Sequence, residues 1–337
     1  MLEAPDFEAL LNRNPIDKRA LWVNPPQGWR PPNDDIVMTC HWGHARQMRE
    51  AGVRVAYGPE ESRGLIGHGS GFQVAVMTHP KSRTEWLWML KNLVGTLLPD
   101  ARIHCLGHKK SGIEGSIRQL RKQGLQAHKI DSARHCQVWQ LEASSVPALQ
   151  LGLSEWTLEW GGEPVRVAAL PGVFAEGRLD AGSQLLLQTL SEHPLPAGRV
   201  LDFGCGAGVL TVVLARDERL VVDAVDVQWQ AVECTRHTLA FNGLDAAVWP
   251  SDGLSDVDAR YEAIVTNPPF HEHVKQTTAV TERFLQQVAR HLKPGGRLRL
   301  VANAFLPYAD LLEHEVGPFE VLAETPAYRV YEARHGE

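Results

Sequence analysis

Apolar and polar positions follow two rhythms along the second half of the chain. Short apolar runs closed by polar residues or glycine read as buried strands: GRVLDFGC (198–205), RLVVDAVDV (219–227), YEAIVTN (261–267) and RLRLVANA (297–304). Between them, GVLTVVLARD (208–217), QWQAVECTRHTLAFNGL (228–244) and TTAVTERFLQQVARHLKPGG (277–296) carry helical spacing. The second of these is closed by Gly243 and the third by a Pro-Gly-Gly stop. Strand and helix in alternation build a parallel α/β sheet. The tail FEVLAETPAYRVYEAR (319–334) reads as two strands about a turn, an antiparallel pair at the sheet edge.

The first half echoes the second. FQVAVMTHPKS (72–82) lines up without a gap on YEAIVTNPPFH (261–271), which sets Thr78-His79-Pro80 against Asn267-Pro268-Pro269. LLPDARIHCLG (97–107) matches LKPGGRLRLVA (292–302), and ALWVNPPQGW (20–29) stands where VLDFGCGAGV (200–209) stands later. These echoes predict a duplicated domain whose first copy lost its motifs; chance likeness between two α/β halves is the alternative. With LEASSVPALQ (141–150) as linker, the expected domains are 1–145 and 155–337.

Composition narrows the class. A chain of 337 residues, 44% hydrophobic, can bury two cores, and no apolar run is long enough to span a membrane. The start MLEAPDFEALLNRN lacks a secretory layout, and the five cysteines are scattered without a CxxC pair. Free thiols in a reducing cytoplasm are therefore expected, not disulfides or a zinc ribbon. The net charge of −6 hides an asymmetry: residues 1–170 hold 20 Lys and Arg against 17 Asp and Glu, and residues 171–337 hold 14 against 23. The sharpest basic stretch, 101–135, includes Lys109, Lys110, Arg118, Arg121 and Lys122. On charge alone it reads as a solvated helix face sooner than as a phosphate-binding patch. His41 and His44 of HWGH, and the HEH of 271–273, lack further ligands at metal spacing, so no metal is expected. The tryptophans, crowded toward the first half (Trp22, Trp29, Trp42, Trp86, Trp88), read as core.

The strongest local signal is the strand 200–203 running into Gly204-Cys205-Gly206-Ala207-Gly208 and then a helix. Glycines there permit a tight turn and let a ligand approach backbone amides at a helix start, although tight packing alone would also use them. The pattern is GxGxG, one residue short of the dinucleotide GxGxxG. The next strand ends at Asp226, placed to accept both hydroxyls of a ribose. That spacing suits an adenosyl cofactor without a pyrophosphate.

LDFGCGAG with AVDV and NPPF resembles the class I S-adenosylmethionine-dependent methyltransferases. The resemblance implies that Gly204, Gly206 and Gly208 line the methionine and ribose and that Asp226 holds the ribose hydroxyls. It also implies that Asp252 reaches the adenine amine and that Asp202 orients the loop. The Asn267-Pro268-Pro269-Phe270 tetrad then has a chemical reason. An amine on an aromatic ring is a poor nucleophile because its lone pair is delocalised. The Asn267 side-chain oxygen and the Pro268 carbonyl can take its two hydrogens and aim the lone pair at a methyl donor. Tandem prolines stiffen that carbonyl, Phe270 offers a face for a splayed-out base, and catalysis is mostly positioning.

LPGVFAEGRLDAGSQLLLQTL, NPPFHEHVKQTTAVTERF, LRLVANAFLPYADLL and YRVYEA together resemble the 16S ribosomal RNA guanine-N2 methyltransferases of the RsmC type, which act at nucleotide 1207 in the usual numbering. TEWLWMLKNL, HKKSGIEG and KIDSARHCQVWQ extend the likeness into the first half. The resemblance implies two tandem class I methyltransferase-like, Rossmann-like α/β domains. The first is degenerate, with an RNA-binding or stabilising role, and only the second binds S-adenosylmethionine. It further implies that Asp180 and Ser183 of GRLDAGSQLLL belong to a segment closing over the cofactor, and that the basic stretch meets RNA. The expected partner is 16S rRNA or the assembled small subunit, the expected compartment the cytoplasm. A monomer is expected, since a fused pair can take the place of a homodimer. A 23S rRNA guanine-N2 methyltransferase, a protein-glutamine methyltransferase and a non-catalytic RNA-binding assembly factor remain open at this point.

Overall fold

The computed structural model describes residues 2–32, 35–66, 71–173, 177–268, 274–306 and 308–336, the side chains of 66 and 274–280 excepted. The chain divides into two compact units, Met1–Gly152 and Leu153–Glu337. The linker expected over 141–150 is in part a strand: Leu141 and Glu142 complete the last strand of the first unit.

The first unit runs α1 (Ala4–Arg13), β1 (Ala20–Val23), β2 (Ile36–Thr39), α2 (Trp42–Glu50), β3 (Arg54–Tyr57), α3 (Gly58–Ile66) and β4 (Phe72–Thr78). It continues with α4 (Arg83–Val94), β5 (Leu97–His108), α5 (Ile113–Arg121), β6 (Ala127–Ala133) and β7 (Cys136–Glu142). Its seven strands stand in the order β3-β2-β1-β4-β5-β7-β6. Tryptophans fill its core as expected: Trp22 and Trp86 are fully buried, and Phe7, Trp22 and Trp29 pack ring on ring at 4.5–6.2 Å.

The second unit opens with a hairpin, β8 (Ser154–Trp160) and β9 (Glu163–Ala169), followed by α6 (Ala181–Glu192), β10 (Gly198–Phe203), α7 (Val209–Ala215) and β11 (Leu220–Asp226). Then come α8 (Trp229–Phe241), β12 (Ala247–Pro250), β13 (Tyr261–Thr266), α9 (Val274–His291), β14 (Leu292–Asn303), α10 (Tyr308–Glu315), β15 (Phe319–Glu324) and β16 (Tyr328–Arg334). Its sheet order is β12-β11-β10-β13-β14-β16-β15. The tail is the expected antiparallel pair, with β15 at the edge.

The two sheets share one topology, and their registers coincide residue for residue. Phe72 pairs with Leu97 and Val74 with Arg102, with a bulge between; Tyr261 pairs with Leu292 and Ala263 with Arg297, with the same bulge. A second irregularity, between Lys129 and Asp131 in β6, recurs between Val321 and Ala323 in β15. Bulges insert a residue at a defined place. Two of them at matching places, in the frame that sets Thr78 against Asn267, speak for duplication over chance likeness.

One element departs from its expected extent. Lys293–Gly296 was expected to close a helix, but α9 ends at His291 and β14 already includes this segment. The reason is local: Gly295 has φ +71, and a Cβ on Gly296 would lie 2.8 Å from the Lys293 carbonyl oxygen and 3.0 Å from that of Tyr261. Pro-Gly-Gly builds the bulge against β13 rather than stopping the helix. The second sheet is packed on both faces. Ile264, Leu298 and Leu300 meet Phe284, Leu285 and Leu312 of α9 and α10; Val200, Val265 and Val301 meet Leu186, Val212 and the hairpin's Val165 and Val167.

Candidate active site

In this strand order the chain leaves the adjacent parallel strands β10 and β13 toward opposite sides of the sheet, and a crevice opens beyond their carboxyl ends. Phe203 and Thr266 are register partners there, so Gly204 and Asn267 follow side by side. The Thr266 hydroxyl donates to the Phe203 carbonyl at 2.8 Å and locks the two strand ends together.

The glycine loop is held by its own amides. Gly204 and Cys205 donate to the Val225 carbonyl at 2.9 and 3.0 Å, and Gly206 donates to Asp226 Oδ2 at 3.1 Å. Gly204, Gly206 and Gly208 have φ of +74, +55 and +81, the left-handed region that glycine tolerates. Their surroundings differ. A Cβ on Gly204 would meet nothing within 4 Å, and one on Gly206 only a carbonyl oxygen at 4.0 Å, whereas one on Gly208 would lie 2.9 Å from Thr235 Cα. Packing thus explains Gly208, and the first two glycines border open space where a ligand can meet the backbone. Two threonines of α8 brace the loop, a role not read from the sequence. Thr235 Oγ1 donates to the Gly206 carbonyl at 3.2 Å, and Thr238 Oγ1 to that of Ala207 at 2.7 Å while accepting from Ala168 N–H of β9. Their i, i+3 spacing on a helix following the loop was the available signal.

Acidic groups ring this crevice. Asp202 is fully buried; its Oδ2 accepts from Thr211 Oγ1 at 2.5 Å, tying β10 to α7, and its Oδ1 has no partner among the described residues. Burial raises its pKa to about 7, against the pull of the Thr211 hydroxyl, and the charge of Asp226 adds to the rise. Asp226, half-buried, accepts from Gly206 N–H and, through Oδ1, from Gln228 N–H at 2.9 Å. Burial still lifts its pKa above the ordinary carboxylate value. Backbone amides thus take up much of the acceptor capacity of this carboxylate and leave room for a further donor. Ser251 N–H donates to the Asp226 carbonyl at 3.0 Å, which brings Asp252 beside it. The open glycines, the remaining acceptor capacity of Asp226 and the clustered acidic groups fit a hydroxyl-bearing, positively charged ligand.

Asn267 is half-buried and Pro268 buried beside the loop; Pro269, Phe270 and the histidines of 271–273 lie outside the described residues. Asn267 Nδ2 donates to Ser183 Oγ at 2.9 Å and faces Asp180 Oδ1 and Oδ2 at 3.3 and 3.4 Å. Asp180 and Ser183 are thus brought to Asn267 by the start of α6. Underneath, Phe203 and Phe284 pack with ring centroids 4.7 Å apart.

The other expected groups fall elsewhere. Lys109 and Lys110 sit on a short turn after β5, while Arg118, Arg121 and Lys122 lie on or beside the exposed face of α5. Among the described residues only Arg118 of these five forms an ion pair, with Glu114 at 3.4 Å. His41 caps α2, its Nδ1 accepting from His44 N–H, and no trio of His, Cys, Asp or Glu among the described residues could hold a metal ion.

Comparison with known proteins places this chain in a family. Residues 164–332 match the family described as Methyltransferase small domain, and residues 31–160 match Methyltransferase small domain N-terminal. The ribosomal RNA small subunit methyltransferase C of Stutzerimonas stutzeri is 41% identical over 320 residues, covering 90% of this chain and 93% of that protein. Its namesake from Pseudomonas aeruginosa is 46% identical over 315 residues, covering 90% and 92%. The chain belongs to the ribosomal RNA small subunit methyltransferase C family. A solved structure of the T. thermophilus 16S rRNA N2 G1207 methyltransferase, in complex with AdoMet and guanosine, superposes with a TM-score of 0.83 at 28% identity, over 95% of this chain and 89% of that one.

In this member of the methyltransferase C family the first unit lacks the residues that line the crevice in the second. By register, Trp22 stands at the place of Asp202, Asn24 at Gly204, Thr39 at Asp226 and Thr78 at Asn267. Asn24 keeps the left-handed turn, φ +46, but its side chain occupies the loop, accepting from Cys40 N–H at 3.0 Å and reaching Met89 Sδ at 3.4 Å. His79, at the place of Pro268, bonds Ser116 Oγ at 3.0 Å, and burial lowers its pKa to about 4.

Proposed function

We propose that the second unit transfers a methyl group from S-adenosylmethionine to the exocyclic N2 of a guanine in 16S rRNA, nucleotide 1207 by analogy with the T. thermophilus relative. The observation that carries this reading is Asn267, set in register beside an open glycine loop with its amide N–H group turned away toward Asp180 and Ser183. The side-chain oxygen that remains is an acceptor for an exocyclic amine.

Bound S-adenosylmethionine supplies an electrophilic methyl on a sulfonium. Gly204 and Gly206 leave its chain room against the backbone, and Asp226 offers acceptors to the ribose diol. Asp252, next to the Ser251 whose N–H bonds the Asp226 carbonyl, is the partner assigned to the adenine amine in this proposal. The carboxylate of Asp226 favours its positive charge, which gives the acidity of the second half a local use. Asn267 Oδ1 and the Pro268 carbonyl then take the two hydrogens of the guanine amine, and Phe270 stacks on the base. The proton of the product ammonium passes to water, so no strong base is needed. In this proposal the first unit contributes RNA affinity through Lys109, Lys110, Arg118, Arg121 and Lys122.

The test is incubation of the purified protein with tritiated S-adenosylmethionine and undermethylated 30S subunits, 50S subunits or free 16S rRNA, followed by mapping of the label. Label at one guanine N2 of 16S rRNA is expected. Label confined to 23S rRNA, or label on an added release factor and none on RNA, would replace the substrate. Asn267→Ala should bind cofactor near normally in calorimetry and transfer nothing; equal loss of both would make Asn267 a cofactor or folding residue.

A further inference from the structure

Asp180 caps α6 with one carboxylate oxygen, Oδ1, accepting from Gly182 N–H at 3.0 Å and Ser183 N–H at 3.1 Å. The same carboxylate faces Asn267 Nδ2 with both oxygens, at 3.3 and 3.4 Å, and Ser183 Oγ, one turn into the helix, accepts from it at 2.9 Å. A carboxamide can turn over by half a rotation at little intrinsic cost, and the turned form of Asn267 would present a donor to the crevice. Here that form is penalised by Asp180: Oδ1 in place of Nδ2 would stand against two acceptor-only carboxylate oxygens, while the Ser183 hydroxyl, donor as well as acceptor, can bond either form. The carboxylate itself is held by two amides at a helix start, where negative charge is favoured.

We infer that Asp180 and Ser183 are positioning residues for the Asn267 carboxamide, Ser183 holding it in place and Asp180 fixing its orientation, so that its oxygen and not its N–H group meets the acceptor amine. The inference rests on the proposed transfer to an exocyclic amine, and it departs from the expectation that these two residues close over the cofactor. The start of α6 therefore selects for amines over oxygen acceptors: a carbonyl or deprotonated hydroxyl offered to Asn267 finds an acceptor and no donor. Ser183→Ala removes the shortest contact. Asp180→Asn keeps the cap, since Asn caps as well as Asp, but puts an N–H group where Oδ2 received one, and so releases the amide to turn.

The experiment pairs a binding, a kinetic and a spectroscopic measurement on the full-length protein. Ser183→Ala and Asp180→Asn should each lower kcat by about tenfold or more, the size of one lost hydrogen bond to an oriented group, with the Kd for S-adenosylmethionine unchanged within about twofold. Ser183→Thr, which keeps the hydroxyl, should restore turnover. In protein carrying 15N-asparagine, the Asn267 side-chain amide, assigned by its loss in Asn267→Asp, should be protected from hydrogen exchange and lose that protection in both variants. A Kd that weakens in step with kcat would make the two residues cofactor ligands and overturn the inference. Unchanged turnover with the amide signal unmoved would overturn it as well. The amide signal is read without any acceptor, so absence of label on 16S rRNA would count against the proposed substrate and leave this measurement to decide the inference.

Discussion

At Gly204 an added side chain would enter open space; at Gly208 it would strike the backbone of α8. Both residues have positive φ, so alanine at either costs about 1–2 kcal/mol of backbone strain. Only Gly208→Ala adds overpacking, about 1–3 kcal/mol more. Urea unfolding should therefore rank Gly208→Ala as clearly the less stable, while Gly204→Ala should show its main loss in calorimetric cofactor affinity. Asp202 makes a second prediction at this scale. Its carboxyl ionises near 3.8 when unfolded and near 7 in the fold, so between those values the folded form holds the proton that the unfolded form has lost. Its contribution to stability is complete at low pH and drains away as pH rises toward about 7. Asp202→Asn should flatten that part of the stability–pH profile measured by denaturant unfolding at a series of pH values.

Among the elements, α6 carries the start of the Asn267 contacts at one end and is pinned to the sheet further along. Arg299 of β14 is fully buried, donates from Nη1 to the Thr189 carbonyl of α6 at 2.9 Å, and pairs with Glu332 of β16, Nε to Oε2 at 2.8 Å. Removing one partner of a buried pair costs about 3–5 kcal/mol. Because Arg297 also holds Glu332, at 3.0 Å, Arg299→Met should fall at the low end of that range in thermal or urea unfolding, with turnover reduced as α6 loosens. None of this was legible beforehand. The strand period exposed β10, β11, β13 and the tail pair, and GxGxG with NPPF placed the crevice, because those signals are local. The contacts of Arg299, Asp180 and Ser183 join residues far apart in the chain, and an arginine inside a strand pattern looks like a solvent-facing position. The hairpin β8–β9 was missed for a different reason: β8 has no buried residue to announce it, and the apolar residues of β9 gather at its far end without a strand-like partner before them. Pro294-Gly295-Gly296 misled because the residues that stop a helix also make a bulge.

For the whole molecule, the division of labour is the testable point. Phosphate contacts supply affinity that weakens with salt in proportion to their number. Lys109→Ala with Lys110→Ala should weaken binding to 16S rRNA and lower the salt slope by roughly one per contact removed, without changing the cofactor Kd. A filter-binding titration over a series of salt concentrations reads both, and an unchanged slope would place the RNA elsewhere.

The twice-written strand order has a consequence for how such a chain reaches its native state. A segment shaped for β5 has the polarity, length and bulge that the second sheet asks of β14, and the reverse holds too. Each half is thus a template onto which the other could misthread. Partners alike in backbone must be told apart by side chains. Trp22 opposite Val76 in one sheet and Asp202 opposite Val265 in the other make the two seams immiscible. The side chains that set the first half apart from the second thus do more than remove a site: they lower the chance that a newly made chain is sewn together wrongly.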